Sequence, residues 1–281
     1  MFNIENDIEL QFKTSNSFYF KNIINLISNI LDKANVKFNS NGMRITSLDG
    51  ANISLIDMLI PNNFFEIYTF NSDLIVGINF SLLNKILNNL NMNNILTFKI
   101  NKDLDKVIIT ILGPNYKNNY EMKIIDIEEF NFELNTYDNS TNITLDSKYF
   151  NKIISKFDEN LEICINKSKK TITLNNSNKK IYSLEMCLDL NNLTNYIHST
   201  VKNHKFSHTE KLDFNKTKYE NLQDLSLEFY LKYILRFSKG YILSNIIKLS
   251  MKKDYPIKIS YEIYSNGFIN YYITENIKEN K

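Results

Sequence analysis

The stretch YEMKIIDIEEFNFEL, from Tyr120 to Leu134, lies near the middle of the 281-residue chain. It contains no Gly or Pro, and it follows neither the helical nor the strand period throughout. On both sides of it the sequence repeats one order of elements, a helix followed by paired strands. We therefore interpret the stretch as a strap that joins two similar halves, and as a docking surface. The predicted organisation is an N-terminal domain over 1–118, a connecting loop over 119–138 and a C-terminal domain over 139–281.

The composition indicates two folded domains inside a reducing compartment. The chain is 43% hydrophobic, so it can bury a sizeable core, but no run of 18 apolar residues suggests a spanning helix. The start, MFNIENDIELQF, does not resemble a signal peptide. Only Cys164 and Cys187 are available for disulfides, which are therefore not expected. The formal charge is +2, so a nucleic-acid surface would have to come from local segregation of charge.

Apolar spacing predicts four helices, and alternating apolar residues predict antiparallel strands around them. The expected helices cover 18–33, 80–90, 148–157 and 227–238. Their predicted caps are Asn16-Ser17, Asn79, Asp146-Ser147 and Ser226. The polar segment 190–222 is expected to be an irregular insertion. Together these elements predict an α+β fold with two helices and antiparallel sheets in each half.

The polar faces of the predicted helices carry Lys and Arg and almost no acids. Two sets share a face by helical spacing, namely Lys148, Lys152 and Lys156, and Lys232, Arg236 and Lys239. Lysine on one solvated helix face is ordinary, but the same bias on four helices favours contact with phosphates. The 31 acids must then lie mainly on strands, loops and the strap.

No catalytic constellation accompanies this charge pattern. His204 and His208 have the spacing of paired zinc ligands, and His198 lies nearby. Cys187 lies upstream, but the segment has no second Cys, so we interpret the histidines as loop residues. The sequence contains no Gly-rich phosphate loop and no nucleophile–base signature. We expect no enzyme activity, no metal and no cofactor. A metal-dependent enzyme that uses the histidines remains the alternative from another functional class.

The sequence resembles the proliferating cell nuclear antigen family of sliding clamps, and the strap is where the resemblance is clearest. The Tyr-Glu-Met-Lys start of the strap is the closest match, and other stretches agree in order along nearly the whole chain. These are ITSLDGANISLI (45–56), VGINFSLLNKIL (76–87), YLKYILRFSKG (230–240), KLSMKKDYPIKISYEI (248–263) and YYI (271–273).

The resemblance implies the clamp fold, in which two similar domains per subunit form a closed homotrimeric ring with helices lining the hole. It implies that edge strands at KVIITIL (106–112) and KIYSLEMCL (180–188) pair between subunits. The implied function is DNA replication and repair. The ring encircles duplex DNA without sequence preference and acts as a polymerase processivity factor, with a polymerase, a clamp loader and short apolar or aromatic motifs as partners. The implied location is the nucleus, or a viral replication site for a viral clamp.

The resemblance assigns two sets of residues. Positions matching the family's DNA-facing cations are Lys21, Lys85, Lys152, Lys232 and Lys239, to which helical spacing adds Lys148, Lys156 and Arg236. Positions matching the partner-binding pocket are Leu48, Asn52, Ile53, Leu55, Phe132, Leu134, Thr274 and Glu275. Plain core packing is the competing interpretation for Ile53 and Leu55.

Three departures from the family bear on the surface charge and on partner preference. The chain is near neutral where the family is usually acidic, Asn52 occupies a position that is often His, and Thr274-Glu275 replaces Ala-Pro. The alternative function is a clamp-like subunit of a heterotrimer, such as a checkpoint clamp or a viral transcription accessory factor.

Overall fold

A computed structural model describes residues 7–130, 132–134, 136–176, 182–191, 194–201, 204–211 and 217–276. The chain divides into two compact units. The first comprises residues 1–133 with 262–269, and the second comprises 134–261 with 270–281. Antiparallel sheets and helices make up both units, as the α+β prediction required.

The first unit contains two helices and two sheets. The helices are α1 (Ser17–Ser28) and α2 (Phe80–Leu87). The strands are β1 (Ile8–Thr14), β2 (Lys33–Asn39), β3 (Gly42–Leu48), β4 (Ser54–Pro61), β5 (Ile67–Phe70), β6 (Leu74–Asn79), β7 (Ile95–Asn101), β8 (Lys106–Leu112) and β9 (Lys117–Lys123). One sheet has the order β5-β1-β7-β8-β9, and β6-β2-β3-β4 are neighbours in the other.

The second unit repeats this plan. Its helices are α3 (Ser147–Ile154) and α4 (Leu231–Ser238). The strands that follow the strap in the chain are β10 (Thr141–Asp146), β11 (Asn160–Asn166), β12 (Thr171–Asn176), β13 (Tyr182–Asp189), β14 (Thr194–Val201), β15 (His204–Lys211), β16 (Lys218–Glu220), β17 (Leu225–Tyr230), β18 (Ile246–Met251), β19 (Ile257–Ile263) and β20 (Gly267–Ile273). The order β16-β10-β18-β19 matches β5-β1-β7-β8, and β17-β11-β12-β13 matches β6-β2-β3-β4. The pair β14–β15, beyond β13, has no counterpart among the described strands of the first unit.

Alternating burial along the strands explains why these segments form sheets. Strand β7 buries every second residue, which gives it one core face and one outer face. In the first unit Phe12 of β1 packs against Phe20 of α1, with ring centroids 5.7 Å apart. In the second unit Phe237 of α4 stacks on Tyr271, at 4.2 Å. Each core is therefore built where a sheet meets a helix.

Three of the predicted helices end earlier than the apolar spacing suggested. Leu31, Leu90 and Phe157 are buried, but each lies beyond the helix, in the turn that follows it. The apolar rhythm continues past the helix end because that turn still packs into the core.

The predicted helix over 227–238 was wrong in its first third, residues 227–230, and so was its cap Ser226. Residues Leu225–Tyr230 form a strand with alternating burial, and α4 begins only at Leu231. The caps Asn79 and Asp146 are confirmed. Their side chains accept hydrogen bonds from the backbone N–H of Leu82 and Tyr149, both at 2.8 Å.

The prediction of irregular chain over 190–222 is contradicted. Strands β14 and β15 pair in antiparallel register from Thr194↔Lys211 to Val201↔His204, and β16 pairs with β10. Polar residues dominate this segment, but pairing satisfies the backbone groups that lie between two strands whatever the side chains are. Residues 192–193, 202–203 and 212–216 lie outside the described residues.

The edges expected to pair between subunits are not edges in this chain. Strand β8, at 106–112, pairs with β7 on one side and β9 on the other. Strand β13, which covers most of 180–188, pairs with β12 and β14. The Tyr-Glu-Met-Lys start of the strap is itself part of β9, so the irregular strap begins only after Lys123.

Candidate functional site

The four α-helices, all within the described part of the chain, contain no Asp or Glu. In each unit the two helices pack against each other. An amide hydrogen bond joins each pair: Asn84 donates to Asn25 Oδ1 at 3.3 Å, and Asn151 donates to Ser238 Oγ at 2.8 Å. Neither helix pair contributes a carboxylate of its own, which suits a polyanionic ligand. The Asp32 carboxylate, from the segment before β2, accepts a hydrogen bond from the Ser81 hydroxyl of α2 at 2.9 Å.

In the first unit the two predicted cations differ in what they contact. Lys85 of α2 is exposed to solvent. Lys21 of α1 is half-buried, and its Nζ donates to the carbonyl oxygens of Asn88 at 2.6 Å and Leu90 at 3.3 Å. These carbonyls lie just past the end of α2, where carbonyl groups lack helical partners and a cation is favourable. Lys21 therefore joins the two helices as well as adding charge.

In the second unit all six predicted cations are exposed. Lys148 and Lys152 belong to α3, Lys232 and Arg236 belong to α4, and Lys239 opens the 3-10 turn Lys239–Ile242. Lys156 lies beyond the end of α3, so the helical spacing that added it does not continue to that residue.

Two of these cations, Lys232 and Arg236, make cation–π contacts with aromatic rings. Lys232 Nζ lies 5.0 Å from the ring centroid of the buried Tyr233, and the Arg236 guanidinium lies 5.9 Å from the same ring. Lys232 also lies 5.9 Å from the ring of Tyr230. Cation–π contacts of this kind restrain long side chains without neutralising them. The charge of α4 is therefore presented from a defined position.

The predicted pocket residues of the first unit are positioned by Asp49, which sequence reasoning did not assign. The Asp49 carboxylate is buried and accepts the backbone N–H of Ile53 at 2.8 Å and of Ser54 at 2.9 Å. Asn52 adopts a positive φ of 55° in this turn, and its N–H donates to the Asp49 carbonyl. The Asp-Gly pair at 49–50 is a turn signal that would have found this loop.

Leu48 and Leu55 are brought together by the β3–β4 ladder, in which they are direct partners. Both are half-buried, as is Ile53. Cross-strand partners contact each other side by side on one face of a sheet. Partial burial leaves these apolar side chains accessible to a ligand, which core packing alone would not.

The strap runs along β6 after leaving β9. The Ile125 N–H donates to the Gly77 carbonyl at 3.0 Å, and the Asn35 side chain donates to the Ile127 carbonyl at 3.0 Å. A Cβ atom at Gly77 would lie 2.1 Å from the Ile125 carbonyl oxygen. Gly77 therefore permits the close approach of strap and strand, and neither it nor Asn35 was assigned from sequence.

The later strap exposes acids and aromatic side chains. Asp126, Glu128 and Glu129 are exposed. Phe130 is 65% exposed, and its ring centroid lies 6.5 Å from that of the half-buried Phe132. Phe130 is an apolar residue at the surface that the sequence analysis did not select.

The remaining predicted pocket residues belong to the second unit. Leu134 and Glu275 are half-buried and Thr274 is exposed. Nearby in sequence, Tyr137 donates to the Pro256 carbonyl at 2.7 Å, and its ring lies about 6 Å from those of Tyr255 and Tyr272. Lys258 Nζ lies 5.8 Å from the Tyr137 ring, and burial raises the pKa of Tyr137, so its hydroxyl stays a donor. This aromatic cluster anchors the chain after Leu134.

The histidine alternative gains no support from the backbone. His198 lies in β14, and His204 and His208 lie in β15, so none of the three is in a loop as predicted. Their side chains lie outside the described ones. Where side chains are described, no three His, Cys, Asp or Glu residues form a metal-binding group. No helix among the described residues is long and apolar enough to cross a membrane.

Two models of known protein domains match adjoining parts of this chain, which together cover residues 8–276. "Proliferating cell nuclear antigen, N-terminal domain" matches residues 8–132, and "Proliferating cell nuclear antigen, C-terminal domain" matches residues 133–276.

Relatives and a solved structure agree with these matches. The chain is 26% identical to a "Proliferating cell nuclear antigen" of Dictyostelium discoideum over 262 residues, which cover 92% of this chain and 95% of the relative. It is 21% identical to that of Chaetomium thermophilum over 263 residues, or 93% and 95%. The crystal structure of the proliferating cellular nuclear antigen from Entamoeba histolytica superposes with a TM-score of 0.77, covering 96% of this chain and 100% of that one at 20% identity. That likeness shows the shared fold.

Proposed function

The chain belongs to the proliferating cell nuclear antigen family, and we propose that it is a homotrimeric sliding clamp that encircles duplex DNA and tethers a polymerase. The observation that carries the proposal is the absence of acids from all four helices, in a chain with 31 acids to place. A sliding contact requires non-specific attraction to phosphates, and carboxylates on that surface would oppose it.

The proposed DNA-facing groups are Lys21, Lys85, Lys148, Lys152, Lys156, Lys232, Arg236 and Lys239. Six of the eight belong to the second unit, where all are exposed. In the first unit the helices present Asn25 and Asn84 beside Lys85, and amides bond phosphate oxygens without carrying charge. The second unit therefore supplies most of the electrostatic attraction.

We propose that partner proteins dock beside the strap. The supporting features are the half-buried Leu48, Ile53 and Leu55, and the aromatic pair Phe130 and Phe132. Leu134, Thr274 and Glu275 complete the proposed set from the second unit. A peptide with apolar and aromatic anchors gains most of its affinity from a few such contacts. Polymerase and clamp-loader motifs are the proposed ligands, and the nucleus is the proposed location.

The experiment is retention on DNA of two topologies. The purified chain is loaded onto closed circular DNA and onto the same DNA made linear, and its mass in solution is measured by light scattering. A ring stays on the circle and slides off free ends. A monomeric mass at micromolar concentration, or equal retention on both DNAs, would contradict the proposal.

A further inference from the structure

The sheets in the described part of the chain end in six edge strands, and four of these are short or covered. Strand β5 has four residues and β16 has three. Strand β6 is met by the strap, where Ile125 bridges to Gly77. Strand β17 is met by Asn276, whose N–H donates to the Glu228 carbonyl at 2.8 Å. Proteins commonly protect edges by such means, because an open edge pairs with other chains.

The two remaining edges are β9 and β15. Strand β9 has seven residues and pairs only with β8, while β15 has eight residues and pairs only with β14. Each therefore presents one side of its backbone without a strand partner among the described residues. The two are close in length, at roughly 23–26 Å for an extended chain.

We propose that β9 of one copy pairs with β15 of the next copy to form the subunit interface. This inference rests on the proposed function, because it takes the ring as given and assigns the strands that close it. Strands β8 and β13, which the family resemblance suggested, already have partners on both sides within one chain. The additional hairpin β14–β15 thus moves the pairing edge two strands outward from β13.

A second copy of the chain satisfies both edges at once. The edges differ from each other, so their contact is head-to-tail, and head-to-tail contacts close into a ring when the rotation per subunit permits. Each copy then donates one β9 and accepts on one β15, which leaves no long edge open. A foreign strand would cover one edge and leave the other exposed to aggregation.

Disulfide scanning tests the pairing directly. In a chain with Cys164→Ser and Cys187→Ser, a cysteine replaces Asn118 or Asn119 in β9. It is combined with a cysteine at each position from Lys205 to Thr209 in β15, because adjacent residues sample both faces and the register. The comparator combines the β9 cysteine with Glu185→Cys in β13. Neighbouring strands are about 4.8 Å apart, so β13 would lie roughly 10 Å beyond β15, outside the reach of a disulfide.

We expect covalent trimers from at least one β9–β15 pair under oxidation, and none from the single cysteines or the β13 comparator. Covalent trimers from the β13 comparator, or none from any β9–β15 pair while the mass remains trimeric, would overturn the edge assignment and leave the clamp proposal standing. A monomeric parent chain would instead overturn the proposed function.

Proline provides a second measurement. Of two adjacent residues in β15, one directs its N–H toward β14 and the other away from it. Ser207→Pro or His208→Pro should therefore remove an outward donor and weaken assembly roughly tenfold per interface, with Ser207→Ala and His208→Ala as controls. Unchanged assembly in both proline variants would overturn the assignment.

Discussion

At the scale of single residues, Lys21 and Lys85 share a type and a predicted role but not a structural environment. The sequence places both on polar helix faces. Only the structure shows that Lys21 donates to two carbonyls past the end of α2, while Lys85 is exposed. The same residue type therefore stabilises the fold at one position and contributes only charge at the other.

Replacement of Lys21 by Ala should lower the free energy of unfolding, by about 0.5–1.5 kcal/mol after allowance for solvent screening. Lys85→Ala is the matched control and should change stability by less than about 0.5 kcal/mol. Urea unfolding of the two variants measures the difference. Equal stability would mean that the Lys21 contacts contribute nothing measurable.

Asp49 is the second residue whose role depends on its contacts. Asp49→Ala leaves the buried N–H of Ser54 and the partly buried N–H of Ile53 without their acceptor, so we expect a loss of about 1–3 kcal/mol of stability. The neighbouring turn carries Asn52 and Ile53, and affinity for a docking peptide should fall as well. Asp49→Asn retains one acceptor oxygen, so it should recover part of the lost stability and part of the lost peptide affinity. Urea unfolding and peptide titration make the comparison, and a peptide affinity unchanged by Asp49→Ala would separate this loop from docking.

At the scale of elements, the path of the strap depends on Gly77 of strand β6, which has no side chain to keep the strap away. The bridge between Gly77 and Ile125 brings the strap to the edge of β6. Two residues further along the strap, the Ile127 carbonyl accepts a hydrogen bond from the Asn35 side chain of β2. Neither contact is visible as a pattern in the strap sequence, since the partners lie about fifty or more positions upstream.

Gly77→Ala should displace the strap, because the new methyl group would meet the Ile125 carbonyl at 2.1 Å. We expect faster amide hydrogen exchange at Ile125 and a destabilisation of about 1–3 kcal/mol. Gly50→Ala is the control, since a Cβ atom there meets nothing within 4 Å. Unaltered exchange at Ile125 would show that β6 relaxes to admit the methyl group.

At the scale of the whole molecule, the charge pattern carries the functional prediction. Lys152→Glu with Lys239→Glu should reduce clamp-stimulated DNA synthesis and flatten the salt dependence of DNA binding by about one unit per lost phosphate contact, with the trimeric mass unchanged. A control pair, Lys37→Glu with Lys253→Glu, alters exposed cations outside the helices by the same charge. Loss of the trimer in the helix variant would instead assign these residues a structural role.

Much of the fold follows from local pattern. Alternation predicted strands such as β7 and β19, the caps Asn79 and Asp146 marked two helix starts, and the repeated order predicted two similar halves. The prediction failed at Leu225–Tyr230, where Leu225, Leu227 and Phe229 alternate with the strand period, but the run was short and was merged with the helix that follows it. It failed again at 190–222, where polar composition does not prevent a ladder from forming.

The sequence by itself determined the two-fold repeat, the excess of Lys and Arg over acids on the helix faces and the family, because periodicity, charge and motif order are written in neighbouring residues. Tertiary structure alone decided which edges remain open, which lysine caps a neighbouring helix, and where the strap lies. Those properties depend on hydrogen bonds between residues far apart in the chain, such as Lys21 with Asn88 and Gly77 with Ile125. For example, β8 has a strand partner on each side and β9 is at the edge of the sheet, and only the pairing of the folded chain distinguishes them.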